Sequence, residues 1–137
     1  KPSYQTVKEM KQQELKHLEA FEGLVREKRV RPTALMPLWH VGGWMLGAAT
    51  AALGEKAAMA CTVAVESVIS EHYQQQREAL GKHEPALSSL MEEFRAEELE
   101  HHNTGLEHGA QQAPAYRALY YGIRAVTRTA IELSKRV

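Results

Sequence analysis

The sequence predicts an all-α bundle. No stretch alternates apolar and polar residues with the period of a strand. All 17 acids are glutamates, with no aspartate among them, and glutamate tolerates a helix interior where aspartate competes for the backbone. Apolar residues recur at helical spacing, and the breaks between the runs carry Pro or Gly. At 137 residues the chain reads as a single domain, residues 1–137, able to build a core without staples.

The first helix is expected over 3–28. Tyr4, Val7, Met10, Leu15, Leu18, Phe21 and Val25 recur at spacings of three to five, with Lys, Gln and Glu between them. Arg26 to Pro32 is a basic break, and Pro32 and Pro37 bracket a turn. An uncharged stretch follows from Pro32 to Gly54, with Leu38, Trp39, Trp44, Met45 and Leu46 among many Ala and Gly. A further helix is expected from about 55 to Gly81, then a turn at Glu84-Pro85. The next runs over about 86–104 and is punctuated by Gly105 and Gly109. Pro114 opens a last helix to about Ser134. Antiparallel neighbours with short loops complete the bundle.

Composition excludes some chemistry. Seventeen Lys and Arg balance the acids, so no basic field invites nucleic acid. The single cysteine, Cys61, excludes a disulfide within the chain and a Cys-x-x-Cys metal site. It sits in an apolar run and reads as a small buried hydrophobe. No signal or transit peptide is visible, and the chain opens on Lys1-Pro2-Ser3-Tyr4 without an initiator Met.

The chemistry-bearing pattern is a set of acids and histidines at helical spacing. Glu14-Leu15-Lys16-His17 and Glu98-Leu99-Glu100-His101 are each Glu-x-x-His, whose ends share a helix face and can meet one metal ion. Roughly one such pair arises by chance in a chain with 17 acids and 7 His, so spacing alone leaves a solvated pair open. Order adds more. Glu66 lies between them, at the end of the apolar run Ala60-Cys61-Thr62-Val63-Ala64-Val65, where a carboxylate is costly unless paired, protonated or metal-bound. Di-iron carboxylate bundles supply one Glu from each of two helices and Glu-x-x-His from each of the other two. Glu14, His17, Glu66, Glu98 and His101 are five of those six ligands, in order. The sixth would lie on a helix before Lys1, since Glu9 shares the helix of Glu14. The expectation is that this first bundle helix is missing. Carboxylates with imidazole fit iron or manganese better than zinc.

At this point the chain resembles the demethoxyubiquinone hydroxylase family. The likeness rests on Arg31-Pro32-Thr33-Ala34-Leu35-Met36-Pro37-Leu38-Trp39, on Ala58-Met59-Ala60-Cys61-Thr62-Val63-Ala64-Val65-Glu66, and on Phe94-Arg95-Ala96-Glu97-Glu98-Leu99-Glu100-His101-His102. Ala113-Pro114-Ala115-Tyr116 is similar too. The resemblance implies a ferritin-like fold on the inner membrane, on the mitochondrial matrix face or a bacterial cytoplasmic face. It implies two iron ions that hydroxylate a demethoxyubiquinol precursor with dioxygen and electrons from NADH. By motif match Glu14, His17, Glu66, Glu98 and His101 would be the iron ligands. The family's first ligand, in an Asp-His-Ala-Gly-Glu-Tyr-like segment, has no counterpart here, so a catalytically incomplete scaffold subunit is the alternative. A ferritin-like iron store is a third reading.

Neighbouring residues have two readings each. Spacing alone leaves His102 open as a ligand, while the family pattern favours His101. Tyr73, two turns after Glu66 on its face, fits electron transfer or ring contact as well as an ordinary core role. His72 fits a carboxylate-holding role or a structural one. Arg128 fits a cofactor phosphate, a carboxylate or a plain surface position. His40, His83 and His108 lack an acid at ligand spacing.

The stretch 32–54 is long enough to resemble a transmembrane span, yet Pro37, Gly42, Gly43 and His40 argue against spanning. With Arg26, Lys28, Arg29 and Arg31 before it and Trp39 and Trp44 within it, the stretch reads as an interfacial membrane helix that gives an isoprenoid quinone access to the site. A buried core helix is the other reading. The resemblance further implies a homo-oligomer and a lipid-binding accessory protein.

Overall fold

A computed structural model describes residues 2–137; Lys1, the first residue of the expected domain, lies outside them. Five helices follow in order: α1 (Pro2–Lys28), α2 (Met36–Ala52), α3 (Glu55–Leu80), α4 (Pro85–Glu107) and α5 (Tyr116–Arg136). A short 3₁₀ turn at Ala110–Gln112 joins the last two. No strand occurs among the described residues, as the glutamate-rich, helix-period sequence predicts.

Helix α3 is the central element. Ala57, Met59, Ala60, Val63, Ala64 and Val68 are all buried along it. Met91 and Phe94 of α4 and Ile123 of α5 are buried beside them. Cross-helix contacts set the directions. Val63 meets Gly105 and Arg77 meets Glu92, so α3 and α4 are antiparallel. His17 meets Glu97 and Gln13 meets His101, so α1 and α4 are antiparallel too. Helices α1 and α3 therefore run the same way, with α2 as the return path between them.

Two boundaries differ from expectation, and both concern Gly or Pro. Gly105 does not end α4, which continues to Glu107. A Cβ at Gly105 would stand 2.7 Å from Val63 Cγ2 and 3.2 Å from the Met59 carbonyl oxygen. The glycine is there for close approach to α3, and the helix passes through it. Helix α5 begins at Tyr116 rather than at Pro114, because Ala115 takes the left-handed conformation (φ 51°) just before it.

Helix α2 is not a buried core helix: Thr50 is its one buried residue. Leu38, Val41, Trp44 and Met45 are exposed, Trp44 by 74%. Trp39 differs from Trp44. It is half-buried and donates from Nε1 to Ser134 Oγ of α5 at 2.7 Å. Among the described residues no helix is long and apolar enough to cross a membrane. Helix α1 also shows apolar surface at Tyr4, Val7, Leu15 and Leu18; its buried residue is His17.

Candidate metal centre

Helices α1, α3 and α4 each aim ionisable side chains into the space between them. Glu14 and His17 sit one turn apart on α1, Glu98 and His101 one turn apart on α4, and Glu66 faces both from α3. Ligand atoms of Glu14, Glu66, Glu98 and His101 all lie within 4.8 Å of one another. His17 adjoins the group, its Nδ1 2.9 Å from Glu98 Oε1. Glu66, Glu98, His17 and His101 are buried and Glu14 is half-exposed.

Two of the carboxylates straddle the two imidazoles. Glu98 places Oε1 at 2.9 Å from His17 Nδ1 and Oε2 at 3.5 Å from His101 Nδ1. Glu14 places Oε2 at 3.6 Å from His17 Nδ1 and Oε1 at 3.0 Å from His101 Nδ1. Glu66 reaches only the His101 side, at 3.7 Å. Glu14 and Glu98 thus each turn one oxygen toward each imidazole. The His101 side has its own carboxylate in Glu66. On the His17 side, the carboxylates paired with His17 among the described residues are Glu14, Glu97 and Glu98.

The donor set fits metal ions. Glu14 Oε1, Glu66 Oε2, Glu98 Oε2, His17 Nδ1 and His101 Nδ1 are all buried and make no well-directed hydrogen bond, even where nitrogen and oxygen stand 2.9–3.0 Å apart. Buried polar atoms left unpaired cost free energy, and here they share one space. Electrostatics agree. Burial pushes the Glu98 carboxyl up to about 7, with Glu66 adding to it and His101 opposing. Burial works against a charged His101, yet Glu14, Glu66 and Glu98 overcome it and raise the imidazole to about 11. The cluster thus calls for positive charge. A proton on His101 meets part of that demand, and a divalent ion would meet more of it. Oxygen-rich donors with two imidazoles suit iron or manganese.

The outer nitrogens of both histidines are held across the helix pair. His17 Nε2 hydrogen-bonds to Glu97 Oε2, and His101 Nε2 to Gln13 Oε1. Neither Gln13 nor Glu97 stood out in the sequence. The available signal was position: each immediately precedes the Glu of a Glu-x-x-His. His72 does not hold a carboxylate ligand. It lines a cavity of about 150 Å³ with Glu71, Arg128 and Glu132, and burial and Lys135 depress its pKa. His102 turns to Asn103 on the exposed side.

The other singled-out residues fall on two sides of α3. Tyr73 is buried against Phe21 and Phe94, with ring centroids 6.1 and 6.3 Å away. Burial, then the charges of Glu98, Glu14 and Glu66, push its phenol well above the usual range. Phe94 also lies 4.1 Å from the His17 ring, so three aromatic rings close one end of the cluster. Arg128 is exposed and meets a carboxylate, Glu71 Oε2, at 2.9 Å, while Arg124 takes the other oxygen at 3.0 Å. Glu71 lies five residues after Glu66, about 140° round the helix, so the arginine pair is on the α5 side and away from the cluster.

Comparison with known proteins adds a family to this geometry. Residues 1–134 match the family described as Ubiquinone biosynthesis protein COQ7. The chain is 50% identical over 131 residues to 3-demethoxyubiquinol 3-hydroxylase of Rhodospirillum rubrum, covering 96% of this chain and 62% of that protein. It is 50% identical over 135 residues to the human NADPH-dependent 3-demethoxyubiquinone 3-hydroxylase, mitochondrial, with 96% and 62% covered. It is 38% identical over 140 residues to the mitochondrial 5-demethoxyubiquinone hydroxylase of Saccharomyces cerevisiae, with 91% and 60% covered. The chain thus spans about three fifths of the length of these relatives.

Proposed function

The chain belongs to the ubiquinone biosynthesis protein COQ7 family, and from that premise we propose that it is a ferritin-like di-iron monooxygenase acting on a demethoxyubiquinol precursor. One observation carries the reading: ligand atoms from three helices, far apart in sequence, meet within 4.8 Å in a mostly buried space. The reaction inserts one atom of dioxygen into a ring C–H bond. The other atom leaves as water, with two electrons from a reduced nicotinamide nucleotide. Mammalian relatives carry NADPH in their names, so NADPH joins the NADH that the resemblance implied.

Each residue has a role in this reading. Two irons would share Glu14 and Glu98, with His17 and His101 as the imidazole ligands and Glu66 as the carboxylate of the His101 side. Bound iron supplies the dioxygen chemistry. The protein's part is to hold these donors, exclude water and orient the ring. Phe21, Tyr73 and Phe94 close one end of the space against water, and the protonated Tyr73 phenol is suited to contact the ring or pass an electron. Arg128, with Arg124, is a candidate for the nucleotide phosphate, although Glu71 now occupies both guanidinium groups.

The quinone's route is proposed along an apolar groove of about 460 Å³ between α1 and α3. It is lined by Tyr4, Val7, Ala58 and Met59. Val7 and Met59 each precede a ligand, Glu14 and Glu66, by two helical turns, so the groove leads toward the cluster. Exposed Trp44, Val41 and Met45 on α2 suit contact with an inner-membrane surface or with a lipid-binding accessory protein. The sixth ligand is proposed to come from a helix laid against Leu15 and Leu18 of α1. Self-association would fit the same apolar surfaces.

The scaffold alternative predicts no bound iron pair and no turnover in the full-length protein. Metal analysis of the full-length protein after anaerobic iron loading separates the two readings. About two irons per chain, with dioxygen-dependent hydroxylation of demethoxyubiquinol, are expected. Zinc alone, or no metal after loading, would refute the enzyme reading.

A further inference from the structure

We propose that Gln13 and Glu97 are reciprocal positioning residues, each holding the outer nitrogen of the histidine on the opposite helix, and that their different chemistry makes the two ion positions unequal. This rests on the two-ion reading above.

A histidine ligand has two usable nitrogens and a ring free to rotate about χ2. It presents Nδ1 to an ion only if Nε2 keeps its hydrogen and that hydrogen has an acceptor. Both conditions are met across the α1–α4 pair. His17 on α1 donates Nε2–H to Glu97 Oε2 on α4, and His101 on α4 donates Nε2–H to Gln13 Oε1 on α1. A carboxylate or amide oxygen accepts, so each Nε2 keeps its hydrogen, and Nδ1, which faces Glu14 and Glu98, is the nitrogen left for an ion once any proton on it is displaced. Those Nδ1 atoms are the ones left buried without a well-directed hydrogen bond.

The two acceptors sit at equivalent places, each one residue before the Glu of a Glu-x-x-His, yet they are not equivalent groups. Glu97 brings a negative charge to the back of His17, which strengthens that imidazole as an electron donor to its ion. Gln13 brings only a dipole to His101. The compensation is visible on the front side, where Glu66 adds its charge at 3.7 Å from His101 Nδ1. Glu97 is 22% exposed at its side chain, so its substitution leaves no large cavity.

The test uses full-length protein loaded with ⁵⁷Fe, and reads iron affinity by chelator competition and the two sites by Mössbauer spectroscopy. Wild type should show two quadrupole doublets of equal area. Glu97→Leu should weaken one iron 10–100-fold and leave the other, and Gln13→Leu should do the same to the opposite doublet. Glu97→Gln keeps an acceptor, so it should restore occupancy while moving the His17 doublet toward the other. Circular dichroism should show unchanged helix content throughout. Wild-type affinities and spectra in both leucine variants would overturn the inference. So would equal loss of both irons in Glu97→Leu with no rescue by Glu97→Gln, which would mark plain structural damage. A wild type that binds no iron would overturn this inference together with the proposed function, whereas a two-iron wild type with indifferent variants overturns this inference alone.

Discussion

Replacing Gly105 by alanine tests whether the α3–α4 contact governs the cluster. On helix propensity alone the change should stabilise α4 by about 0.5–1 kcal/mol. Geometry opposes that. The new Cβ would stand 2.7 Å from Val63 Cγ2, well inside contact, and 3.2 Å from the Met59 carbonyl oxygen, which is backbone and cannot rotate away. Overpacking a close helix contact costs about 1–3 kcal/mol, so a net loss of about 1–2 kcal/mol is expected. For a chain between the small and mid-sized classes that corresponds to roughly 3–10 °C in Tm. The effect should reach the proposed metal ligands as well. Gly105 lies one turn beyond His101, so pushing the helices apart moves Glu66 away from Glu98 and His101. Thermal unfolding followed by circular dichroism, with iron content measured on the same samples, reads both consequences. Val63→Ala removes the closest methyl and should recover part of the loss in the double variant, with a coupling of about 1 kcal/mol. A Gly105→Ala protein that is more stable than wild type and loads iron normally would refute the close-approach argument.

Further outcomes follow from the cluster and from α2. On the proposed function, Glu66→Ala and His101→Ala in the full-length protein should each abolish hydroxylation with the helical signal largely intact; normal turnover in either variant would remove that residue from the proposed ligand set. The folded-state values of Glu98 and His101 are both raised, to about 7 and about 11 from ordinary values of 4.5 and 6.5. A raised group stabilises the fold below its ordinary value and loses that contribution as pH climbs through the folded one. Metal-free protein should therefore lose stability from Glu98 between pH 4.5 and 7 and from His101 between pH 6.5 and 11. Iron affinity should rise with pH over the range 6 to 8, since binding must displace these protons; denaturant melts and chelator competition at several pH values check both signs. Trp44→Ser should weaken binding to anionic liposomes without changing Tm, whereas Trp39→Ser, which loses the bond to Ser134, should lower Tm instead. Vesicle flotation and thermal melts distinguish the two.

Much of the fold and the cluster was legible because the signals were local or periodic. Helix α1 follows from its apolar recurrence, and Glu14, His17, Glu98 and His101 follow from the one-turn spacing that puts acid and imidazole on one face. Glu66 stood out as a charge in an apolar run. What could not be read concerns contacts between distant segments. Gly105 looked like a helix terminator because a glycine required by a neighbouring helix has the same local appearance as one required by a cap. Gln13 and Glu97 carried no signal of their own, since their role exists only once α1 lies against α4. Trp39 and Trp44 looked alike, and α5 separates them by offering Ser134 to one.

The reciprocal contacts between α1 and α4 have a consequence for how this helix pair tolerates change. Each helix carries both a proposed ligand and the brace for the other helix's proposed ligand, one turn apart. Sliding or rotating either helix by a single residue would release both braces at once and turn Glu14, His17, Glu98 and His101 out of register. Registration and ion capture are in that sense one event, like two halves of a zipper that close only when the teeth are aligned. An insertion or deletion between Gln13 and His17, or between Glu97 and His101, should therefore be far more damaging than one in the loop at 29–35, where no such alignment is at stake.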